Sequence, residues 1–196
     1  TEVTEVTPVM KPAVVYELLG GTPSDLLLPN SFLIVEGVSE FELITRVMER
    51  HFSEAAGVQI ILANGDTDQA ERTINAIEKA FSPLAKSVYR QRVVLLCDEP
   101  SAVRKAGVED FLSRHKDLSR DSRVFFLPKP ALEECYPDRE GWLRTHAQVD
   151  TMTGRQKRQL AKRVGAGIDR SDFEGDMRPV IEAIQRCIEL SDWQLP

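Results

Sequence analysis

Cysteine is scarce in this chain of 196 residues, with three residues and no Cys-x-x-Cys spacing. Cys97, Cys135 and Cys187 are odd in number and lie in apolar segments, which excludes a disulfide framework and a zinc ribbon. This usage predicts reduced thiols in a cytoplasmic protein. No apolar run reaches the roughly 18 residues of a membrane span, so no membrane partner is expected. Hydrophobic residues make up 42% of the chain, enough for a packed core, which excludes intrinsic disorder.

An excess of positive charge is also lacking, since 25 Lys and Arg face 31 Asp and Glu for a net charge of −6. A protein that bound nucleic acid over its whole surface would be basic, so any such contact must be local. Residues 139–163 supply a local excess, with seven basic residues against two acids. We call residues 139–163 the basic patch.

Two common kinds of functional motif are missing. Neither GxxxxGK[ST] nor GxGxxG occurs, which excludes nucleotide binding through a P-loop or a Rossmann turn. His51, His115 and His146 share no metal-ligand spacing and no arrangement with a serine or cysteine, so a hydrolase triad has little support.

Apolar runs of strand length alternate with segments of helical period, the pattern of an α/β domain with a mostly parallel central sheet flanked by helices. The strands are expected at 32–35, 58–63, 93–97 and 124–127, with a helix at 102–114 between the last two. Three helical segments follow, at 131–135, 155–164 and 172–190, and Pro179 either kinks the last one or marks its start. The predicted division is a lead-in from an upstream domain at 1–31, an α/β core at 32–130 and a C-terminal helical extension at 131–196.

Acidic residues follow these strands. Glu36 comes after the first strand, Asp98 and Glu99 come after the third, and Glu133 lies a few residues beyond the fourth. Glu40 lies one helical turn after Glu36, so both carboxylates can face the same space. Ligands bind at the carboxyl ends of parallel strands, and clustered carboxylates need a cation such as magnesium or manganese. A divalent-metal site is therefore predicted, although Glu99 taken alone also fits a solvated loop residue or a helix cap.

The segments that carry these acids resemble a family. Residues 32–40, an apolar strand ending in Glu-Gly, resemble the first motif of Toprim domains, and residues 93–99 resemble the second motif. The Glu36-x-x-x-Glu40 spacing, the lead-in at 18–28 and the segments at 132–137 and 156–161 resemble the overcoming-lysogenization-defect (OLD) nucleases of that superfamily. The resemblance implies a Toprim-like fold and a metal-dependent DNA endonuclease or nickase of the two-metal type.

The resemblance also implies roles for particular residues. Glu36 and Lys157 would be catalytic, with Lys157 stabilising charge at the phosphate. The implied metal ligands are Glu36, Glu40, Asp98, Glu99 and Glu133. The implied DNA-binding residues are Arg155, Arg158, Lys162 and Arg163. One departure concerns the second motif, where Pro100 stands in place of the family's second acid, so that Glu99 would have to replace it.

The implied cofactor is one or two Mg²⁺ or Mn²⁺ ions, whereas Ca²⁺ would bind without supporting cleavage. The expected partners are DNA, an upstream ATPase domain in the intact protein and a second copy of the chain in a homodimer. Two alternatives stay open. Pro100 favours a Toprim-like module for nucleic-acid binding or regulation with weakened catalysis. A magnesium-dependent receiver or phosphatase-like domain would instead expect an Asp-Asp pair after the first strand, where this chain has glutamate.

Overall fold

The structure is a computed structural model that describes residues 31–53, 57–63, 74–86, 89–139 and 141–191, with 74–76 described by backbone alone. The predicted lead-in at 1–31 therefore lies outside the described residues except for Ser31, which begins a strand. The end of the predicted extension, residues 192–196, also lies outside them.

The described residues form a sheet of four parallel strands, which confirms the predicted α/β class. The strands are β1 (Ser31–Val35), β2 (Val58–Leu62), β3 (Val93–Cys97) and β4 (Val124–Phe126). Their order is β2-β1-β3-β4, and Val35 at the end of β1 pairs with Leu62 of β2 and Leu96 of β3. Residues 32–35 of β1 and all of β3 are continuous apolar runs, as is typical of parallel strands buried on two faces.

Helices cover both faces of the sheet. The α-helices are α1 (Val38–His51), α2 (Ile74–Ala85), α3 (Ala102–Arg114), α4 (Lys116–Arg120), α5 (His146–Thr151), α6 (Gly154–Gly167) and α7 (Arg178–Ser191). Short 3-10 helices lie at Arg90–Arg92, Leu132–Glu134, Arg170–Phe173 and Gly175–Met177. No helix among the residues described here is long and apolar enough to cross a membrane.

The sheet separates two apolar cores. Alternate residues of β1 point to opposite faces, so that Leu33 and Val35 join one core while Phe32 and Ile34 join the other. The first core is completed by α1, α6 and α7, and the second by α2, α3 and α4. The predicted helical extension thus supplies much of the cover for one face of the sheet.

Close packing of α6 on α1 fixes the position of the basic patch. A Cβ atom at Gly165 would lie 3.0 Å from the carbonyl oxygen of Leu43 and 3.0 Å from the Cβ of Arg46. Glycine at this position therefore allows the two helices to approach each other closely. The same packing brings Arg158 and Lys162 of α6 to Glu42 of α1.

The helix bounds differ from expectation in the last third of the chain. The helix expected at 172–190 begins at Arg178, so Pro179 stands in its first turn, where proline removes no helical hydrogen bond. The segment expected at 131–135 is the 3-10 helix Leu132–Glu134. Helices α4 and α5 were not predicted because each spans less than two turns and shows no clear period.

The three cysteines are buried and unpaired, as their scarcity predicts. Burial raises the pKa of the Cys97 thiol well above its usual value, with Glu36 and Asp98 adding to the effect. The pKa of Cys187 is also raised by burial. These thiols are therefore neutral core residues at physiological pH.

A buried arginine joins the start of β3 to β4. The Nη1 of Arg123 donates hydrogen bonds to the carbonyl oxygens of Arg90 (2.6 Å) and Val93 (3.3 Å). Its Nη2 donates to Asp117 Oδ2 at 2.9 Å. Asp117 also accepts hydrogen bonds from the Arg90 side chain, and these contacts lower the pKa of Asp117 to about 2.

The Arg123→Met variant should lower the free energy of unfolding by about 3 kcal/mol, because it leaves two carbonyl groups without their donor and removes one of the two arginines that bond to Asp117. The matched control is Arg90→Met, whose exposed side chain pairs with the same carboxylate and should contribute under about 1 kcal/mol. Urea unfolding of both variants measures the difference. Equal losses would contradict a structural role for Arg123.

Candidate metal centre

The first two predicted ligands meet where the central strands end. Glu36 follows β1 and Asp98 follows β3, and the two strands are adjacent and parallel. The backbone N–H of Asp98 donates a hydrogen bond to Glu36 Oε2 at 3.4 Å. The register of the sheet thus brings together two acids that are 62 residues apart.

Glu40 turns back over the start of α1 towards these acids. Gly37 caps the helix, and a Cβ atom at this position would lie 2.7 Å from Glu40 Oε2. The backbone of Gly37 is extended with an ordinary φ of −127°, so its conformation does not require glycine. A side chain at position 37 would instead displace the end of the Glu40 side chain from the position that it occupies here.

Glu133 reaches the same place from the loop beyond β4. It lies in the 3-10 helix Leu132–Glu134, and its side chain is only 2% exposed. Leu132, Cys135 and Tyr136 anchor this turn in the core that α1 and α6 share. The Ser39 hydroxyl donates a hydrogen bond of 2.8 Å to Glu133 Oε1.

The pKa values show that the four acids share one electrostatic environment. Burial raises the pKa of Glu40 from 4.5 to about 7, with Glu133 and Glu36 adding to the rise and backbone hydrogen bonds opposing it. Burial also raises the pKa of Asp98 well above its usual value, and Glu40, Glu36 and Glu133 all contribute. We call Glu36, Glu40, Asp98 and Glu133 the carboxylate cluster.

Glu42 offers an internal comparison because it is also a buried acid of α1. Its carboxylate accepts a hydrogen bond from Arg158 Nε at 2.5 Å, and Lys162 Nζ lies 3.6 Å away. The carboxylate cluster has less compensation, since no Lys, Arg or His of the described residues forms an ion pair with any of its members and Lys157 acts on Asp98 through its charge alone. The fold therefore neutralises Glu42 internally and leaves the cluster with excess negative charge.

The hydrogen bonding of the Asp98 carboxylate bears on whether the cluster could bind a cation. Asp98 Oδ1 is buried and has no hydrogen-bond partner among the described residues, a state that costs about 1–3 kcal/mol unless something binds there. The Tyr136 hydroxyl, whose pKa is raised by burial and by Glu133 and Glu40, is likewise buried without a partner. Carboxylate oxygens are the ligands that Mg²⁺ and Mn²⁺ prefer, so the donor set fits these ions.

The cluster is not already shaped around an ion. Among the residues that the structure describes, no three Asp, Glu, His or Cys side chains form a group that could hold a metal ion as they stand. Repulsion between like charges favours separated carboxylates when no cation is present. Binding would therefore require the side chains to rotate towards one point.

Glu99 lies beside the cluster and is exposed. Its backbone N–H donates to the carbonyl oxygen of Lys129 at 3.1 Å, which continues the pairing of the two strand ends. Together with Glu36, Asp98 and Arg104, it lines a cavity of about 30 Å³, room for one or two waters or an ion. A metal role for Glu99 stays a prediction, and the described residues that line this cavity include Glu36 and Asp98 but neither Glu40 nor Glu133.

Lys157 is placed near the cluster by α6. Thr153 caps this helix by accepting a hydrogen bond from the backbone N–H of Gln156, and the side chain of Gln156 accepts one from the backbone of Thr153. Lys157 follows in the first turns, half-buried, and its charge lowers the pKa of Asp98 against the other influences on that group. The catalytic role of Lys157 stays a prediction, but its location is compatible with that role.

The structure gives internal partners to part of the predicted DNA-binding set. Arg158 and Lys162 both interact with Glu42, and Arg163 donates to the carbonyl oxygen of Gly141 at 3.3 Å. Arg155 is exposed and forms no ion pair with a described residue. The basic patch is therefore partly structural, because two of its four predicted contacts already neutralise a buried acid.

Three residues of the site have no role in the sequence-based prediction. Ser39 lies between the predicted ligands Glu36 and Glu40. Arg104 lies in the first turn of the helix that follows Asp98, and Tyr136 lies three residues after Glu133. Only their nearness to predicted ligands could have indicated them. Their contacts depend on loop conformations that the sequence does not specify.

Comparisons of this chain with protein-family models, with curated proteins and with solved structures found no match. The resemblance to the OLD nucleases is therefore carried by the motifs alone. We argue the function from the chemistry of the cluster.

The raised pKa of Glu40 predicts how stability changes with pH when metal is removed. A carboxyl whose pKa is higher in the folded state binds more protons there, so the free energy of unfolding falls as pH rises from about 4.5 to about 7. The fall should be on the order of 2–3 kcal/mol. The Glu40→Gln variant, which stays neutral, should lose most of this fall.

Urea unfolding of EDTA-treated protein at several pH values measures the effect. The exposed Glu109→Gln on α3 is the control and should keep the wild-type profile. A Glu40→Gln profile as steep as that of the wild type would contradict the burial of uncompensated charge at this site.

Proposed function

We propose that this chain is a divalent-metal-dependent DNA endonuclease or nickase that hydrolyses phosphodiester bonds. The observation that carries the proposal is the carboxylate cluster at the carboxyl edge of a parallel sheet, whose members form no ion pair with any described Lys, Arg or His, whereas neighbouring Glu42 pairs with two basic residues. The buried Asp98 Oδ1 without a partner supports a bound cation in particular. The motif resemblance adds the substrate class.

Glu36, Glu40, Asp98 and Glu133 would hold Mg²⁺ or Mn²⁺, with Glu99 available from the cavity beside them. Such ions neutralise charge on the attacking and leaving oxygens of a phosphodiester and activate water. Ca²⁺, which is larger and tolerates looser geometry, is expected to bind without supporting cleavage.

The chain's own contribution is to position charge. The carboxylate cluster is held by three separate segments anchored in one core, so its members keep their places when the carboxylates rotate. Lys157 is the cation whose charge reaches Asp98, and it would stabilise the extra negative charge of the phosphate in the transition state. Glu36, at the end of β1, combines a ligand role with contact to the Asp98 backbone.

DNA would be bound locally, because the chain as a whole carries a net charge of −6. Exposed Arg155, at the start of the helix that carries Lys157, is the member of the predicted DNA-binding set most available for a phosphate contact. Phosphate contacts of this kind position the duplex without reading its sequence. Arg158 and Lys162 can add long-range attraction while they remain paired with Glu42.

The second candidate function is a nucleic-acid-binding or regulatory module with weakened catalysis. The observation that favours it is the exposed position of Glu99, followed by Pro100, which leaves Asp98 as the acid of the second motif that faces the cluster. Such a module would bind DNA in a salt-dependent manner but would not cleave it with any metal ion.

Cleavage of supercoiled plasmid, without ATP, tests the proposal. Nicked or linear DNA should form with Mg²⁺ or Mn²⁺ and not with Ca²⁺ or EDTA. The Lys157→Ala variant should lower the rate at least tenfold, because the lysine acts mainly on the transition state. Lys116→Ala, an exposed lysine of α4 beneath the opposite face of the sheet, is the matched control and should cleave at the wild-type rate.

The outcomes separate the two candidates. DNA binding by gel shift without cleavage under any metal condition would favour the module with weakened catalysis. Cleavage that persists in EDTA would contradict the metal-dependent mechanism, and an unchanged rate in Lys157→Ala would leave that lysine as a surface residue of α6.

A further inference from the structure

Among the residues that the structure describes, Glu133 is the one member of the carboxylate cluster whose carboxylate accepts a hydrogen bond from a side chain. The donor is the Ser39 hydroxyl, 2.8 Å from Glu133 Oε1 and 94 residues away in the sequence. Glu133 is 2% exposed, and no other side chain of the described residues donates to it. One of its two carboxylate oxygens is therefore fixed by Ser39, and Oε2 is left for another interaction.

Because of where Ser39 lies, its hydrogen bond to Glu133 connects two segments of the carboxylate cluster. Ser39 lies in the first turn of α1, between Glu36 and Glu40. Glu133 belongs to a different segment, the 3-10 helix beyond β4. The Ser39 hydrogen bond thus ties the segment that carries two cluster members to the segment that carries a third.

A neutral hydroxyl cannot compensate the charge of Glu133. It can fix the rotamer of the side chain and decide which oxygen faces the rest of the cluster. Hydrogen bonds of this kind to metal-ligating groups typically change metal affinity or activity by about 10–100-fold.

We propose that Ser39 is a positioning residue that orients Glu133 for divalent-cation binding, by occupying Oε1 and presenting Oε2 to the other three carboxylates. The proposal rests on the metal-dependent function above. It adds the residue that orients Glu133, the predicted ligand that lies furthest along the sequence from the other three. Ser39 touches neither the ion nor the substrate; it acts through Glu133.

Calorimetric titration of EDTA-treated protein with Mn²⁺ tests this role. Ser39→Ala should weaken Mn²⁺ binding about 10–100-fold. Ser39→Thr keeps the hydroxyl and should restore affinity to within about threefold of the wild type, whereas Ser39→Cys, a weak donor, should fall between Ser39→Ala and the wild type. The matched control is Thr45→Val, which removes an α1 hydroxyl that bonds only to the carbonyl oxygen of Phe41 and should not change Mn²⁺ affinity.

Thermal unfolding without metal separates positioning from folding. Ala is a stronger helix former than Ser, so Ser39→Ala should unfold within a few degrees of the wild type in EDTA. A loss of Mn²⁺ affinity with unchanged metal-free stability, rescued by Ser39→Thr, supports the positioning role. A merely structural hydrogen bond would lower metal-free stability and leave the affinity of the folded protein unchanged, which would overturn it.

Two negative results are distinguishable. If the wild type binds Mn²⁺ and Ser39→Ala binds it equally well, the positioning role is wrong and the metal centre stands. If the wild type does not bind Mn²⁺ at millimolar concentration, the metal centre itself is wrong and the role of Ser39 is overturned with it.

Discussion

The burial of negatively charged carboxylates is the constraint on which the arrangement of charged side chains in this protein depends. A buried carboxylate without a counterion raises its pKa or attracts a cation, since its charged form loses hydration. The Glu42 carboxylate is compensated by ion pairs with Arg158 and Lys162. The neighbouring carboxylate cluster has no such ion pairs within the described residues, and the pKa values of Glu40 and Asp98 rise accordingly. In the proposed function, a divalent cation would supply the positive charge that the cluster lacks.

Helix α6 supplies positive charge near two separate acids, Glu42 of α1 and Asp98 at the end of β3. Its packing at Gly165 brings two of its basic residues to Glu42, and the same geometry places Lys157 near Asp98. The helix therefore supplies structural charge for one acid and, in the proposed mechanism, charge for the phosphate at the other. This double use explains why a basic patch occurs in an acidic protein without requiring every cation in it to touch DNA.

The strands and the residues of the carboxylate cluster could be predicted from the sequence, because each prediction depends on the pattern of apolar and acidic residues within a short segment. The apolar runs of β1 and β3 need burial on both faces, and the residue that follows each must lie at the same sheet edge. The contacts of Ser39 with Glu133 and of Arg158 with Glu42 could not be predicted. They join segments more than 90 residues apart, and their geometry depends on how the loop after β4 and the packing of α6 are arranged.

Diffraction from crystals grown with Mn²⁺ tests the central claim most directly, because the anomalous signal locates the ion without assumptions about its ligands. The account predicts an anomalous peak within about 2.5 Å of carboxylate oxygens of Asp98 and of at least one of Glu36, Glu40 and Glu133. A difference map with no peak at the cluster, at a concentration where Mn²⁺ occupies other positions in the crystal, would contradict it.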